Sequence, residues 1–163
     1  MLNGAAFRAV SVIGGGAWGV ALGHLAAANG VDTLLWAREP EVAEAIDRRH
    51  ENPVFLPGVA LHPALRATSR IEDTAAAEAF LFVVPAQHGR TVMRALAPLA
   101  RAGAPVALCS KGIEQMTGML PTGVLAEAWP EAVPAVLSGP SFARDVALGL
   151  PTAVTLAVIN VAS

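Results

Sequence analysis

The chain has 163 residues and a formal net charge of −2, a length that suits one domain with a sizeable core. Hydrophobic residues make up 54% of the sequence and charged residues only 15%, which excludes an intrinsically disordered chain. The sequence has no basic excess that would support nucleic-acid binding.

The sequence has the features expected of a soluble, cytoplasmic protein. Its one cysteine, Cys109, excludes an intrachain disulfide framework and fits a reducing compartment. The longest apolar stretches, such as Ala79–Ala86, are far shorter than the ~18 residues that a membrane span needs. Arg8 is the one early basic residue and glycines interrupt the apolar region that follows, so we expect no signal peptide.

The first part of the chain alternates predicted strands and helices. Ala9–Ile13 is a β-branched run that ends at three glycines, and it predicts a buried parallel strand. The Ala- and Leu-rich segment Trp18–Asn29 predicts a well-buried helix, with Gly30 as its stop signal. Asp32–Ala37 predicts a second strand, and Pro40–Arg49 predicts a helix with proline in its first turn.

The same alternation continues after Glu51–Pro63, a proline-containing segment that should be irregular. Ala79–Val84 predicts a buried strand that Pro85 ends, and a helix should follow from about Gln87 until Pro98 breaks or kinks it. Three arginines should share the outer face of this region: Arg90, Arg94 and Arg101. Further strands are predicted at Pro105–Cys109, Ala135–Ser138 and Thr152–Ile159.

Strands that alternate with helices at βαβ spacing predict an α/β fold with a mostly parallel sheet. The sequence ends within or just after an apolar, strand-like segment. We therefore expect a domain of a longer protein, with a natural short form as the alternative.

A G-x-G-x-x-G set, Gly14-Gly15-Gly16-Ala17-Trp18-Gly19, lies between the first predicted strand and helix. Here Gly14 would permit the tight turn, Gly16 would let backbone approach a pyrophosphate, and Gly19 would let the helix pack closely on the strand. The helix N-terminus would offer N–H groups and a positive dipole end to the phosphates. This placement favours dinucleotide binding over the alternative of a purely structural turn.

The end of the second predicted strand bears on the choice of cofactor. An acidic residue there accepts hydrogen bonds from the ribose 2′-hydroxyl and favours NAD. This strand instead ends Trp36-Ala37-Arg38, and the guanidinium of Arg38 suits a 2′-phosphate or stacks on adenine. The sequence therefore favours NADP(H) over strict NAD. The alternative is a solvated surface arginine that Glu39 neutralises.

Two further motifs follow predicted strands. Lys111, the only lysine, lies at the carboxyl end of Pro105–Cys109, where open α/β sheets bind ligands. Its compact ammonium can hold a phosphate or polarise a hydroxyl or carbonyl, and a surface lysine is the alternative. In Ser138–Ala143 (SGPSFA), Ser141 is an N-cap candidate for a helix whose N–H groups would form an anion site, with a bare helix cap as the alternative.

The histidines predict no metal site, because they are scattered and have no carboxylate at ligand spacing. They are His24, His50, His62 and His88. His24 lies on the buried helix and is expected to be a satisfied core residue. His88 lies just past a strand end, which leaves a secondary role near the cofactor open.

Several segments match one family in order and through almost the whole chain. They are Gly14–Leu22, Leu35–Arg38, Asn52–Gly58, Val84–Gln87, Ser110–Glu114 with Thr117-Gly118, Leu137–Ala143 and Gly149–Ala153. Together they resemble bacterial NAD(P)-dependent glycerol-3-phosphate dehydrogenase. The resemblance is specific because KGIE, the following TG and SGPSFA occur in order and at the family's spacing. Phe55 stands where the family commonly has an aromatic hydroxyl.

The resemblance implies a Rossmann-type, doubly wound, mostly parallel sheet with helices on both faces across residues 1–163, followed in the family by an all-helical C-terminal domain. It also implies reversible hydride transfer between NAD(P)H and dihydroxyacetone phosphate, giving sn-glycerol 3-phosphate for phospholipid synthesis. The resemblance also allows a homodimer of the full-length enzyme. The contacts carried over by position are Ala17, Trp18, Arg38, Lys111 and Ala143 to the cofactor, and Lys111, Gly139 and Ser141 to the substrate.

The family's proton-donating lysine lies in that helical domain, and Lys111 is the only lysine of this sequence. We therefore expect the chain alone to bind cofactor but to turn over very slowly. Two other interpretations stay open. One is the cofactor half of a reductase for another small keto acid or keto phosphate, although SGPSFA is not expected there. The other is a non-catalytic dinucleotide-binding or sensor module.

Overall fold

The computed structural model describes residues 7–158. Its strands are β1 (Ala9–Ile13), β2 (Asp32–Trp36), β3 (Arg66–Thr68), β4 (Ala79–Phe82), β5 (Pro105–Leu108), β6 (Val133–Ser138) and β7 (Thr155–Val158). They form one sheet in the order β3-β2-β1-β4-β5-β6-β7. The pairs from β3 to β6 are all parallel, and β7 joins β6 antiparallel.

Helices cover both faces of the sheet. They are α1 (Ala17–Ala28), α2 (Pro40–Arg49), α3 (Ala86–Leu96), α4 (Pro121–Ala128) and α5 (Ala143–Ala147), with a 3₁₀ turn at Ile71–Thr74. One hydrophobic core joins α1, α2 and α5 to Val12 and Leu35 of the sheet. The other joins α3 and α4 to the opposite face, which carries Ile13 and Phe80. The neighbouring residues Val12 and Ile13 of β1 therefore enter different cores, as the two-residue period of a strand requires.

The topology places a binding crevice at the middle of the sheet. The chain runs outward from β1 to β2 and β3, then returns to β4 on the other side of β1. Strand order therefore reverses between β1 and β4, and in open α/β sheets ligands bind at the carboxyl ends of the strands at this point. The prediction of a doubly wound, mostly parallel sheet is confirmed.

The predicted elements of the first part have nearly the observed bounds. β1 and α2 match residue for residue, while α1 begins one residue before the predicted Trp18. Asn29 is its C-cap, and Gly30 follows with a φ of +81°. The segment after α2 is irregular, as predicted, except for an isolated bridge between Asn52 and Leu56.

Several element boundaries differ from the predictions. β2, β4 and β5 each stop one or two residues early, β6 begins two residues before the predicted Ala135, and α3 begins at Ala86 rather than about Gln87. The predicted strand Thr152–Ile159 is shorter at its start, since β7 begins at Thr155, and Ile159 lies outside the described residues. No helix among residues 7–158 is long and apolar enough to cross a membrane.

The prediction that three arginines share one outer helix face is wrong. Arg101 lies beyond the end of α3 and donates a hydrogen bond to the carbonyl oxygen of Glu78 at 2.7 Å. The side chain of Arg90 is only 16% exposed, because carboxylates from Glu114 and Glu127 surround its guanidinium. Helical spacing alone did not reveal these partners, which lie 24 and 37 residues further along the chain.

Candidate functional site

Two neighbouring clefts open at the carboxyl ends of the central strands. The first, the glycine-loop cleft, has about 310 Å³ and is lined by Gly14, Gly15, Gly16, Trp36, Arg38, Glu39, Phe55, His88 and Val92, with residues 83–85. The second, the lysine cleft, has about 420 Å³ and is lined mainly by Ala17, Trp18, Lys111, Gly139, Ser141 and Ala143. Val83 and Pro85, which follow β4, line both clefts. The two clefts are therefore neighbours across the end of β4.

The three motif glycines meet different steric demands. Gly14 has a φ of +130°, and a Cβ there would lie 2.8 Å from the carbonyl oxygen of Val83. A Cβ on Gly19 would overlap the carbonyl oxygen of Gly14 at the packing of α1 on the loop. A Cβ on Gly16, with a φ of −71°, would meet no atom within 4 Å. A purely structural turn explains Gly14 and Gly19 but gives no reason for glycine at position 16.

The N-terminus of α1 has the properties that a pyrophosphate needs. Gly16 is the N-cap and offers no side-chain cap, and the first turn has no acidic residue. The first N–H groups of a helix have no partners within the helix, and the dipole places partial positive charge at that end. The open space above Gly16 lets a phosphate approach these groups. The loop therefore fits the pyrophosphate of a dinucleotide.

Arg38 lies at the rim of the glycine-loop cleft, just after β2. Its side chain is 74% exposed, and its Nε and NH2 groups donate hydrogen bonds to Oε1 of Glu39 at 3.1 and 2.9 Å. The position fits a contact with the adenosine ribose of a dinucleotide. The pairing with Glu39, foreseen as the alternative, means that an incoming phosphate would compete with a carboxylate for the guanidinium.

Lys111 lies in the loop that follows β5, and three side-chain contacts hold this loop against the sheet and α3. Ser110 Oγ donates to the carbonyl oxygen of Val84 at 2.6 Å. Gln87 Nε2 donates to the carbonyl oxygen of Ile113 at 2.8 Å, and Gln87 Oε1 accepts the N–H of Gln115 at 3.0 Å. None of the ion pairs among residues 7–158 involves the Lys111 ammonium. A braced loop therefore presents an exposed cation to the lysine cleft.

A buried ion pair holds the far end of the same loop. The Arg90 guanidinium contacts both carboxylate oxygens of Glu114, at 2.9 and 2.8 Å. The hydrogen bonds from Arg90 and from the Thr117 hydroxyl lower the pKa of Glu114 to about 2, and the same pairing raises the pKa of Arg90. Glu114 is 6% exposed. Because a buried carboxylate without its partner is costly, this contact fixes the loop to α3.

The Arg90–Glu114 contact makes an acid-dependent contribution to stability. The pKa of Glu114 is depressed in the folded chain from 4.5 to about 2. Its stabilising effect is therefore complete above the unfolded pKa and is lost as pH falls from 4.5 toward 2. We expect Glu114→Gln to lower the free energy of unfolding at neutral pH, and this deficit to shrink at acidic pH.

Urea unfolding between pH 7 and pH 3 measures this deficit. Glu44→Gln is the matched control, because Glu44 forms an exposed ion pair with Arg48 at 3.6 Å, and such pairs contribute little. A Glu114→Gln deficit that stays the same at every pH would contradict the assignment.

The Ser138–Ala143 segment lies in the lysine cleft, but the predicted cap is wrong. α5 begins at Ala143 with Phe142 as its N-cap and has only five residues, so Ser141 does not cap it. Ser141 Oγ instead donates to the carbonyl oxygen of Ala153 at 3.0 Å. A Cβ on Gly139 would lie 2.6 Å from the same oxygen. The Ser138–Ala143 segment is therefore packed against the chain that leads to β7.

The remaining titratable candidates have structural surroundings. His24 accepts the N–H of His62 at its Nδ1, at 2.8 Å, as expected of a satisfied histidine, but it is only half-buried and does not belong to the core. Burial lowers its pKa. Burial also raises the pKa of the Cys109 thiol to about 12, which leaves it un-ionised at neutral pH. His88 lines the glycine-loop cleft. Among residues 7–158 no group of three or more metal-ligating side chains occurs.

The structure adds three residues to which the sequence assigned no role. Phe55 lines the glycine-loop cleft, Gln87 braces the loop that carries Lys111, and Asn52 donates a hydrogen bond to Gly15 of the glycine loop. All three lie within segments that match the family motifs, which was the available signal. Motif membership did not reveal their partners, since each contact joins residues distant in sequence.

Comparison with known proteins identifies the family. Residues 9–163 match the family model described as the NAD-dependent glycerol-3-phosphate dehydrogenase N-terminus. The chain belongs to this family. Glycerol-3-phosphate dehydrogenase [NAD(P)+] of Parvibaculum lavamentivorans is 56% identical over 93% of this chain and 46% of its own length. That of Hyphomonas neptunium is 57% identical over 93% of this chain and 45% of its own length.

A solved structure supports the same relationship. The crystal structure of glycerol-3-phosphate dehydrogenase from Coxiella burnetii superposes with a TM-score of 0.85 at 30% identity. The match covers 91% of this chain and 46% of that one. The chain thus spans about half the length of the curated relatives it matches.

Proposed function

We propose that the chain is the cofactor-binding domain of an oxidoreductase that transfers hydride between NAD(P)H and dihydroxyacetone phosphate, giving sn-glycerol 3-phosphate for phospholipid synthesis. The observation that carries this proposal is the meeting of two clefts across Val83 and Pro85. One holds the glycine loop, and the other holds Lys111. A dinucleotide that follows the glycine loop would bring its nicotinamide end toward the lysine cleft.

The proposed roles divide between the clefts. The loop Gly14–Gly19 holds the pyrophosphate through backbone N–H groups, and Arg38 contacts the adenosine ribose or its 2′-phosphate. Ala17, Trp18 and Ala143 contact the cofactor where it enters the lysine cleft. The reduced nicotinamide supplies the hydride when the cofactor is bound.

The substrate side rests on Lys111, Gly139 and Ser141, which line the same cleft. The Lys111 ammonium attracts the substrate phosphate or stabilises negative charge on the reacting oxygen. Ser141 presents a hydroxyl beside it. In this proposal an all-helical domain beyond this segment supplies the general acid that protonates that oxygen.

We expect the chain to bind NADPH more tightly than NADH, because the Arg38 guanidinium can pair with the 2′-phosphate. A charge-assisted contact of this kind is worth about 1.5–3 kcal/mol. Isothermal titration calorimetry with both cofactors, on wild type and Arg38→Ala, measures the effect. The variant should bind NADPH and NADH with similar affinity.

Arg48→Ala is the matched control, because Arg48 is 76% exposed and pairs with Glu44 on α2. It removes the same charge from the chain and should leave the cofactor preference unchanged. Equal NADPH and NADH affinities in wild type would contradict the proposed role of Arg38.

The proposed function as a whole is tested in two steps. Calorimetry on this chain asks whether it binds NADPH or NADH, and assays of the longer protein follow NADPH oxidation with dihydroxyacetone phosphate. Binding without turnover in the longer protein would favour the sensor module, and turnover with another keto acid would favour a related reductase. We further propose a cytoplasmic location, consistent with a single buried thiol, and a homodimer of the longer enzyme, which light scattering would test.

A further inference from the structure

Asn52 is a fully buried polar residue in the irregular segment after α2, with 0% of its surface exposed. Its Nδ2 donates a hydrogen bond to the carbonyl oxygen of Gly15 at 3.0 Å. Its Oδ1 accepts the N–H of Phe55, also at 3.0 Å. One neighbour can only accept and the other can only donate, so these two contacts fix which way the side-chain amide faces.

The bond to Gly15 has a consequence for the phosphate-binding loop. The carbonyl of Gly15 and the N–H of Gly16 belong to one peptide group, and they point to opposite sides because that group is planar and trans. A carbonyl held toward Asn52 therefore directs the Gly16 N–H away from Asn52. Gly16 itself lines the glycine-loop cleft.

This peptide group needs an external restraint. It joins two glycines, and Gly14 precedes them, so no side chain of these residues limits rotation of the local backbone. A rotated peptide would present a carbonyl oxygen to the incoming pyrophosphate. The hydrogen bond from Asn52 to the Gly15 carbonyl opposes this rotation.

We propose that Asn52 is a positioning residue for dinucleotide binding, which holds the Gly15–Gly16 peptide with its N–H available to the pyrophosphate. This inference rests on the proposed function and extends it to a residue outside the glycine motif. Asn52 acts through the backbone of Gly15 and does not touch the cofactor. Asn52 also accepts the backbone N–H of Phe55, and Phe55 lines the same cleft as Gly16.

The test compares two ligands and three variants of this chain. NADPH needs the loop, whereas 2′-AMP carries the adenosine half without the pyrophosphate. Asn52→Ala removes both side-chain contacts. Asn52→Ser keeps a short hydroxyl that can accept the Phe55 N–H but cannot reach Gly15. Ser11→Ala is the matched control, because Ser11 is buried and its Oγ donates to the carbonyl oxygen of Thr74 at 2.9 Å, away from both clefts.

Both Asn52 variants should weaken NADPH binding by about 10-fold to 100-fold, as expected if the Gly16 N–H no longer donates a hydrogen bond to the charged pyrophosphate. Binding of 2′-AMP, followed by NMR titration, should change by less than about twofold in every variant, and so should NADPH binding to Ser11→Ala. Thermal melting reports any general loss of stability.

Three results would overturn the inference. The first is an Asn52→Ser variant that binds NADPH as wild type does, which would assign the effect of Asn52→Ala to the turn at Phe55. The second is an equal loss of NADPH and 2′-AMP binding, or an unfolded variant, which would make Asn52 merely structural. The third is a Ser11→Ala variant that loses as much NADPH affinity. A wild-type chain that binds neither dinucleotide would instead contradict the proposed function itself.

Discussion

Replacement of Gly16 by valine is expected to abolish NADPH binding while the chain stays folded. A Cβ at this position meets no protein atom within 4 Å, so the space that a side chain would fill is the space proposed for the pyrophosphate. The backbone φ of −71° is open to any residue. Valine is a poorer N-cap than glycine and should cost α1 about 1 kcal/mol. Calorimetry should show that NADPH affinity falls by about 100-fold or more.

The other glycines distinguish a binding defect from a folding defect. Gly123→Val is the control for the substitution itself, because a Cβ there makes ordinary contacts with Met119 at 3.7–3.9 Å and the site is remote from both clefts. It should retain NADPH affinity. Gly19→Ala should unfold or strongly destabilise the chain, since its Cβ would overlap the Gly14 carbonyl. Micromolar NADPH binding by Gly16→Val would contradict the proposed pyrophosphate site at Gly16.

The glycine motif could be predicted from the sequence because the elements that it connects are adjacent in the chain. A strand, a tight turn and a helix N-terminus follow within eleven residues from Ala9 to Gly19, and the steric demands at Gly14 and Gly19 are those that their spacing predicts. β1 and α2 could also be predicted from local sequence, because a β-branched run indicates a strand and a proline at the first helical position indicates a helix start.

Elements and contacts that depend on residues distant in sequence could not be predicted in the same way. β3, Arg66–Thr68, has no apolar pattern and exists because it pairs with residues 34–36 of β2. The predicted cap at Ser141 is wrong because α5 begins only at Ala143, with Phe142 as its N-cap, while the Ser141 hydroxyl donates to Ala153, twelve residues later. The role of Arg90 was missed because its carboxylate partners lie on the loop after β5 and on α4. Only α4 had an overlooked local signal, Pro121 at the start of the helix.

The lysine prediction depends on both local and distant structure. Its place after β5 followed from sequence, but its meeting with Ala17, Gly139 and Ser141 in one cleft required the fold. The braces from Ser110 and Gln87 hold the loop on which the ammonium is carried. The fixed backbone directs the Lys111 side chain into the cleft, where its ammonium can stabilise charge that develops on a substrate.

Lys111→Ala in the longer enzyme should therefore lower turnover by several hundred-fold. A charged hydrogen bond that strengthens as negative charge develops on the reacting oxygen is worth roughly 3–4 kcal/mol of barrier, about two to three decades in rate. NADPH oxidation with dihydroxyacetone phosphate measures the loss. Arg48→Ala removes an exposed cation from α2 and should retain wild-type turnover. Lys111→Arg keeps the charge but not the compact ammonium, so it should recover part of the activity at most.

The chain Met1–Ser163 alone should be nearly inactive even with Lys111 in place, because we propose that the general acid lies in a helical domain beyond this segment. In this proposal Lys111, the only lysine in the sequence, binds the substrate, and the proton for the forming alkoxide comes from the other domain. The same assay on the isolated chain separates the two roles, since cofactor binding should persist while turnover is lost. Normal turnover by the isolated chain would mean that a residue within it supplies the proton, and it would contradict the proposed division of catalysis between two domains.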